Sequence, residues 1–148
     1  MYKFALAHFK TADPILFEVS LNIEPFELEI HPNPFFRLTR SIVGQQLSVK
    51  AARTIFERLE QLFENKKITP ARLIKISPEK LRAAGLSYQK ISYLKDLAQK
   101  VVNNELALDK FGELESKIII EELIKIKGIG QWTAEMFLMF SLGRPDVF

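Results

Sequence analysis

The chain has 148 residues, 47% of them hydrophobic, and 21 Lys and Arg against 18 Asp and Glu give a net charge of +3. That length and apolar content support one globular core and exclude a disordered chain. With no cysteine, disulfides and thiolate metal sites are excluded; with only His8 and His31 a multi-histidine centre is not expected, and no apolar run approaches the roughly 20 residues that span a bilayer.

In chain order, a first helix is predicted at Tyr2 to His8, in a start too briefly apolar for a signal peptide. A second opens at Asp13-Pro14, with Asp as cap and Pro at the first helical position. Phe26, Leu28 and Ile30 alternate with Glu27 and Glu29 as a short strand or extended piece, which Pro32 and Pro34 end. From Phe35 onward the pattern is helical. Pro34 to Gln46 carries Phe35, Leu38, Ile42 and Val43 on one face. Ser48 caps a long helix with Ala51, Ala52, Ile55, Phe56, Leu59, Leu62 and Phe63 inward. Ser77-Pro78-Glu79 opens a short helix closed by Gly85, and Ser87 caps another with Ile91, Leu94, Leu97 (or Ala98) and Val101 on one face. A helix from about Ser116 to Lys125 leads to Lys127-Gly128-Ile129-Gly130, and the last helix runs from Gln131 to about Leu142. The expected fold class is all-α.

The stretch LIKIKGIGQWTAEMFLMF, Leu123 to Phe140, carries the functional signal. Two glycines around one apolar residue allow a sharp turn whose backbone lies open to a ligand. The N–H groups opening the next helix then form an anion site of phosphate size. Ile129 is expected to point into the core, with Lys125 and Lys127 beside the turn as further phosphate contacts. An ordinary helix corner capped by Gly128 is the plain alternative. The mildly basic charge permits a nucleic-acid partner without requiring one. Most other charges, among them Lys50, Arg53, Arg58, Lys66, Lys67, Lys90, Lys95 and Lys100, read as solvated. Asp96, Asp109, Glu121 and Glu122 read as helix-surface or capping carboxylates.

IKGIGQWTAEMF resembles the helix-hairpin-helix signature of the HhH-GPD superfamily of base-excision DNA glycosylases. SIVGQQLSVKAARTIFERL (Ser41 to Leu59) and GLSYQKISYLKDLA (Gly85 to Ala98) resemble segments of its 3-methyladenine DNA glycosylase II branch, in the same order and spacing. The resemblance runs from about Phe35 to Phe148. It implies an HhH-GPD helical domain over 35–148, incomplete at its C-terminal end, preceded by N-terminal helices and an extended segment over 1–34.

Several roles are implied by that resemblance. Relatives that also cut the strand carry a lysine nucleophile where this chain has Trp132, and a tryptophan forms no Schiff base. A monofunctional glycosylase is therefore implied, excising alkylated purines such as 3-methyladenine and 7-methylguanine with water as nucleophile. Trp132 becomes an aromatic wall of the base pocket, where an indole face suits a cationic base. Met136 stands one turn on, while Phe137, Met139 and Phe140 are taken as core. Gln45, Gln46 and Leu47 fall where the family places the wedge that fills the stack vacated by the extruded base. Lys127, Gly128, Ile129, Gly130 and Gln131 form the phosphate grip, with a possible monovalent cation on the carbonyls of Lys127–Gly130. The implied partner is duplex DNA containing damaged bases. No organic cofactor is implied, and a cytoplasmic monomer, nucleoid-associated if prokaryotic, is expected.

Register from Trp132 places the family's catalytic aspartate just beyond Phe148, and Asp146 matches an earlier, non-catalytic aspartate of the motif. The 148 residues alone are thus expected to be inactive, with partnerless apolar faces on the last helices. A non-enzymatic helix-hairpin-helix DNA-binding module and an endonuclease III-type glycosylase of other base specificity are the competing readings.

Overall fold

The computed structural model describes residues 2–24, 32–144 and 147; the expected extended piece at Phe26 to Ile30 and the Asp146 position lie outside them. Among the described residues the architecture is helical throughout, without strands. The helices are α1 (Tyr2–Ala12), α2 (Pro14–Leu21), α3 (Pro34–Gly44), α4 (Val49–Gln61), α5 (Pro70–Lys75), α6 (Pro78–Ala83), α7 (Tyr88–Val102), α8 (Ser116–Leu123) and α9 (Gln131–Leu142).

Local chemistry sets most of the helix starts. Asp13 Oδ1 accepts the Leu16 N–H at 3.0 Å, and Asn33 Oδ1 accepts the Phe36 N–H at 3.0 Å. The hydroxyls of Ser48, Ser77 and Ser87 accept the N–H groups of Ala51, Lys80 and Lys90. Each bond satisfies a donor that has no partner within its helix. Pro14, Pro34, Pro70 and Pro78 stand in the first turns, where a missing N–H costs nothing.

The core lies where α3, α4, α5, α7, α8 and α9 meet. The predicted face of α3 is buried through Phe35, Leu38, Ile42 and Val43. On α7 both candidates at the ambiguous position, Leu97 and Ala98, are buried, because α7 runs through the middle of the domain and packs most extensively on α5. Leu62 was expected inward but is 36% exposed, since it caps the end of α4 as the chain turns away. Each fully buried Leu or Ile contributes about 1.5–3 kcal/mol of transfer free energy.

The last helices do not lack partners: Ile119, Leu123, Ala134, Phe137 and Leu138 are buried between them and the core. Arg144 fastens the far end of α9, donating from a terminal nitrogen to the carbonyls of Gly112 and Leu114 at 3.2 and 2.7 Å. Exposed apolar side chains gather elsewhere, on α2 and just after it: Ile15, Leu16, Val19, Leu21 and Ile23. No described residue of α1 or α2 is buried.

Candidate nucleic-acid interface

Helix α8 ends earlier than predicted, at Leu123. The chain tightens there, with Ile126 N–H donating to Leu123 O at 3.1 Å and Ile129 N–H to Ile126 O at 3.1 Å. These i to i+3 bonds fold residues 123–129 into a compact hairpin. Ile126 and Ile129 are buried as its two apolar anchors, while Lys127, Gly128 and Gly130 stay exposed. Gly128 has φ +80°, and a Cβ built there would land on the Tyr93 ring. Glycine is thus required twice, for the left-handed backbone and for the close approach of α7. Gly130 is extended at φ −99°, and nothing lies within 4 Å of where its Cβ would stand. Its role is open space outside the turn.

Gly130 is the N-cap of α9 and supplies no side-chain hydrogen bond. The first-turn N–H groups, with the positive end of the helix dipole, face the open side of the hairpin. Gln131 beside them pairs its amide with Glu135 at 2.7 Å, one helical turn on. Lys125, expected as a phosphate contact, is paired with Glu122 at 2.6 Å. Lys127 keeps its side chain exposed at the turn itself.

Three residues outside the motif fix the hairpin. Asp96 Oδ2 on α7 accepts the Lys127 N–H at 3.0 Å. Tyr93, one turn earlier on α7, packs under Gly128, with its hydroxyl accepting from Gln89 Nε2 at 2.7 Å. Gln45, at the end of α3, donates from Nε2 to the Gly128 carbonyl at 2.8 Å. Gly128 O and Gly130 O, which accepts from Ala134 N–H, each retain a second lone pair.

The Gln45–Gly128 bond brings the Gln45-Gln46-Leu47 segment beside the hairpin, although 83 positions separate its two ends. Gln45 is half-buried and turned inward. Gln46 is exposed and left-handed at φ +56°, a conformation costly for a residue with a Cβ. Leu47 is partly exposed beyond it. Lys90, read from sequence as solvated, donates from Nζ to Val43 O and Gln45 O, each at 2.7 Å. Lys95, read the same way, donates to Leu73 O, Ile74 O and Ile76 O. Both lysines cap helix C-termini, of α3 and α5, where cations and donors are favoured. Burial pulls the pKa of each below the ordinary lysine value, and the carbonyl acceptors hold the charged form in place.

Trp132 lies 70% exposed in the first turn of α9. Met136 follows one turn on, on the same helix face. It lines a cavity of about 270 Å³ between α3 and α9, with Arg37, Arg40, Ser41, Gly44, Phe140 and Ser141 around it. Phe137 and Met139 pack in or against the core as expected, but Phe140 is 41% exposed and belongs to this cavity. Arg37 holds the cavity's two walls together, donating to Phe140 O at 3.0 Å and Ser141 Oγ at 3.3 Å. Among the described residues no cluster of His, Asp or Glu is placed to hold a metal ion. No described helix is long and apolar enough to cross a membrane.

Comparison with known proteins places this geometry. The chain is 40% identical over 116 residues to DNA-3-methyladenine glycosylase 1 of Schizosaccharomyces pombe, covering 77% of this chain and 51% of that protein. It is 34% identical over 168 residues to DNA-3-methyladenine glycosylase of Saccharomyces cerevisiae, covering 99% of this chain and 55% of that one. The chain thus spans about half the length of these curated relatives. Among solved structures, a DNA-3-methyladenine glycosidase from Bacillus halodurans superposes with a TM-score of 0.86 at 44% identity, over 97% of this chain and 66% of that one. The Schizosaccharomyces pombe 3-methyladenine DNA glycosylase in complex with abasic DNA gives 0.82 at 34% identity, over 97% and 72%. The family model for HhH-GPD superfamily base excision DNA repair proteins matches residues 39–148, from within α3 through the hairpin and α9, and the chain belongs to that superfamily.

Proposed function

We propose that this chain carries the DNA-gripping and base-reading machinery of a monofunctional 3-methyladenine DNA glycosylase of type II. The reaction is hydrolysis of the N-glycosidic bond of an alkylated purine in duplex DNA, leaving an abasic site. The observation that carries this reading is Trp132, a large indole left 70% exposed directly behind an uncapped helix N-terminus. Core packing does not account for it, since most of its surface faces solvent. The names of the relatives, and the abasic DNA held by one of them, support the same substrate class.

In this reading the hairpin takes a phosphate on the N–H groups of the first turn of α9, with Lys127 adding charge. A monovalent cation on the Lys127–Gly130 carbonyls would add further positive charge there. Gln45 to Leu47 supply the wedge that replaces the extruded nucleotide. Trp132 stacks on the cationic purine, and Met136 borders it. The positive charge on the base already weakens the glycosidic bond, so stacking and positioning precede attack by water. A carboxylate must stabilise the oxocarbenium-like sugar.

The test is release of 3-methyladenine and 7-methylguanine from methylated duplex DNA. In the full-length protein, Trp132→Ala should lower excision by about 100-fold, in line with other single-residue losses of transition-state contacts. Affinity for an abasic duplex should change far less, and equal losses would remove the stacking role.

A further inference from the structure

Two loops face the proposed duplex, the Gly128 hairpin and the Gln45–Leu47 turn, and one chain of polar contacts joins them. Lys90 Nζ holds Gln45 O at 2.7 Å, and the same ammonium holds Val43 O in the last turn of α3 at 2.7 Å. Gln45 Nε2 then reaches Gly128 O at 2.8 Å. The backbone of Gln45 is thereby fastened from below by α7, and its side chain is fastened sideways to the hairpin. With one amide N–H committed there, the Gln45 side chain is tied to the hairpin. The next residue, Gln46, is left-handed at φ +56° and exposed.

We infer that Lys90 is a positioning residue that, through Gln45, locks the phosphate-gripping hairpin and the wedge turn into one rigid unit, and that Gln46 is the side chain this unit inserts into the duplex. The inference rests on the glycosylase reading and deepens it, because it selects one wedge among three candidates and gives a role to a lysine whose ammonium is held on backbone carbonyls. A rigid link matters because the wedge must enter at a fixed distance from the gripped phosphate, and loose supporting contacts degrade such geometry.

The experiment uses the full-length protein and a duplex carrying 2-aminopurine beside a tetrahydrofuran abasic site, whose fluorescence changes when a side chain enters the stack. Lys90→Met and Gln45→Leu are each expected to slow that change by about tenfold, the scale of coupling between contacting residues. Binding of Lys90→Met to undamaged duplex should stay near wild type. Gln46→Ala should abolish the fluorescence change, and the Lys90→Met/Gln45→Leu double variant should be no slower than either single variant. Additive losses in that double variant would show that Lys90 merely supports the fold and would overturn the inference, as would single variants with wild-type rates. If Lys90→Met fails to fold, Gln45→Leu at its half-buried surface position gives the same readout. Wild-type protein that neither binds nor perturbs this duplex would instead bring down the glycosylase reading itself.

Discussion

Asp96 Oδ2 accepts the backbone N–H of Lys127 at 3.0 Å, so a carboxylate on α7 sets the angle of the hairpin while standing beside a proposed phosphate site. The contact is geometrically useful and electrostatically adverse, since a negative charge there repels DNA. Two substitutions separate these effects. Asp96→Asn keeps an oxygen acceptor for the Lys127 N–H and removes the charge, and should bind duplex DNA as tightly as wild type or tighter. Asp96→Ala removes the acceptor, and at about 1 kcal/mol for one exposed hydrogen bond should weaken binding about fivefold. Fluorescence anisotropy with an abasic duplex measures both, and an equal loss in both would show that the charge, not the bond, matters.

The two hairpin glycines should answer alanine differently. At Gly128 a methyl group meets the Tyr93 ring and a φ of +80° that alanine adopts poorly. Gly128→Ala should cost about 2 kcal/mol from backbone strain and overpacking together. At Gly130 the backbone is extended and the space empty. Gly130→Ala should melt within a degree or two of wild type yet bind DNA more weakly, because its methyl occupies the approach to the α9 N–H groups. Thermal melts paired with binding curves check both, and a stable Gly128→Ala would contradict the packing of Tyr93.

These contrasts show which parts of the site could be read from the sequence. The caps at Asp13, Ser48, Ser77 and Ser87 were legible because each bond closes within three residues. The hairpin was legible because paired glycines are a local backbone requirement. Lys90, Lys95, Asp96 and Gln45 were not, because their partners lie between 19 and 83 positions away. A surface-facing lysine that caps another helix has the same local pattern as a solvated one. Phe140 was misread as core for a different reason: α9 is apolar on nearly every side, so its periodicity does not separate the buried face from the side that lines the cavity, and Phe137 borders both.

Lys95 should give a large stability effect for a charged residue. Its ammonium satisfies Leu73 O, Ile74 O and Ile76 O, at the C-terminal end of α5. Lys95→Met keeps the aliphatic stem and removes the donors, leaving partly buried carbonyls without them. The expected cost is about 2–3 kcal/mol, the penalty for orphaning buried acceptors of a charged donor. Lys50→Met, on the exposed first turn of α4, should stay within about 0.5 kcal/mol. Urea denaturation of the two variants checks the contrast. Equal midpoints would mean that Lys95 is as solvated as its sequence pattern implies.

Gln46 should show a trade between stability and function. Its left-handed backbone costs about 1–2 kcal/mol for a residue bearing a Cβ, a penalty glycine does not carry. Glycine loses roughly 0.5–1 kcal/mol of that advantage through the greater freedom of its unfolded chain. Gln46→Gly is therefore expected to stabilise the protein by about 0.5–1 kcal/mol, raising the melting temperature by about 2–3 °C for a chain of this size. The same change deletes the exposed Gln46 side chain from the turn, between half-buried Gln45 and exposed Leu47. Base extrusion should fall sharply while the protein becomes harder to melt, as at other sites where strain is retained for function. A lower melting temperature for Gln46→Gly would mean that the side chain supports the turn, and the strain would then have no functional reading.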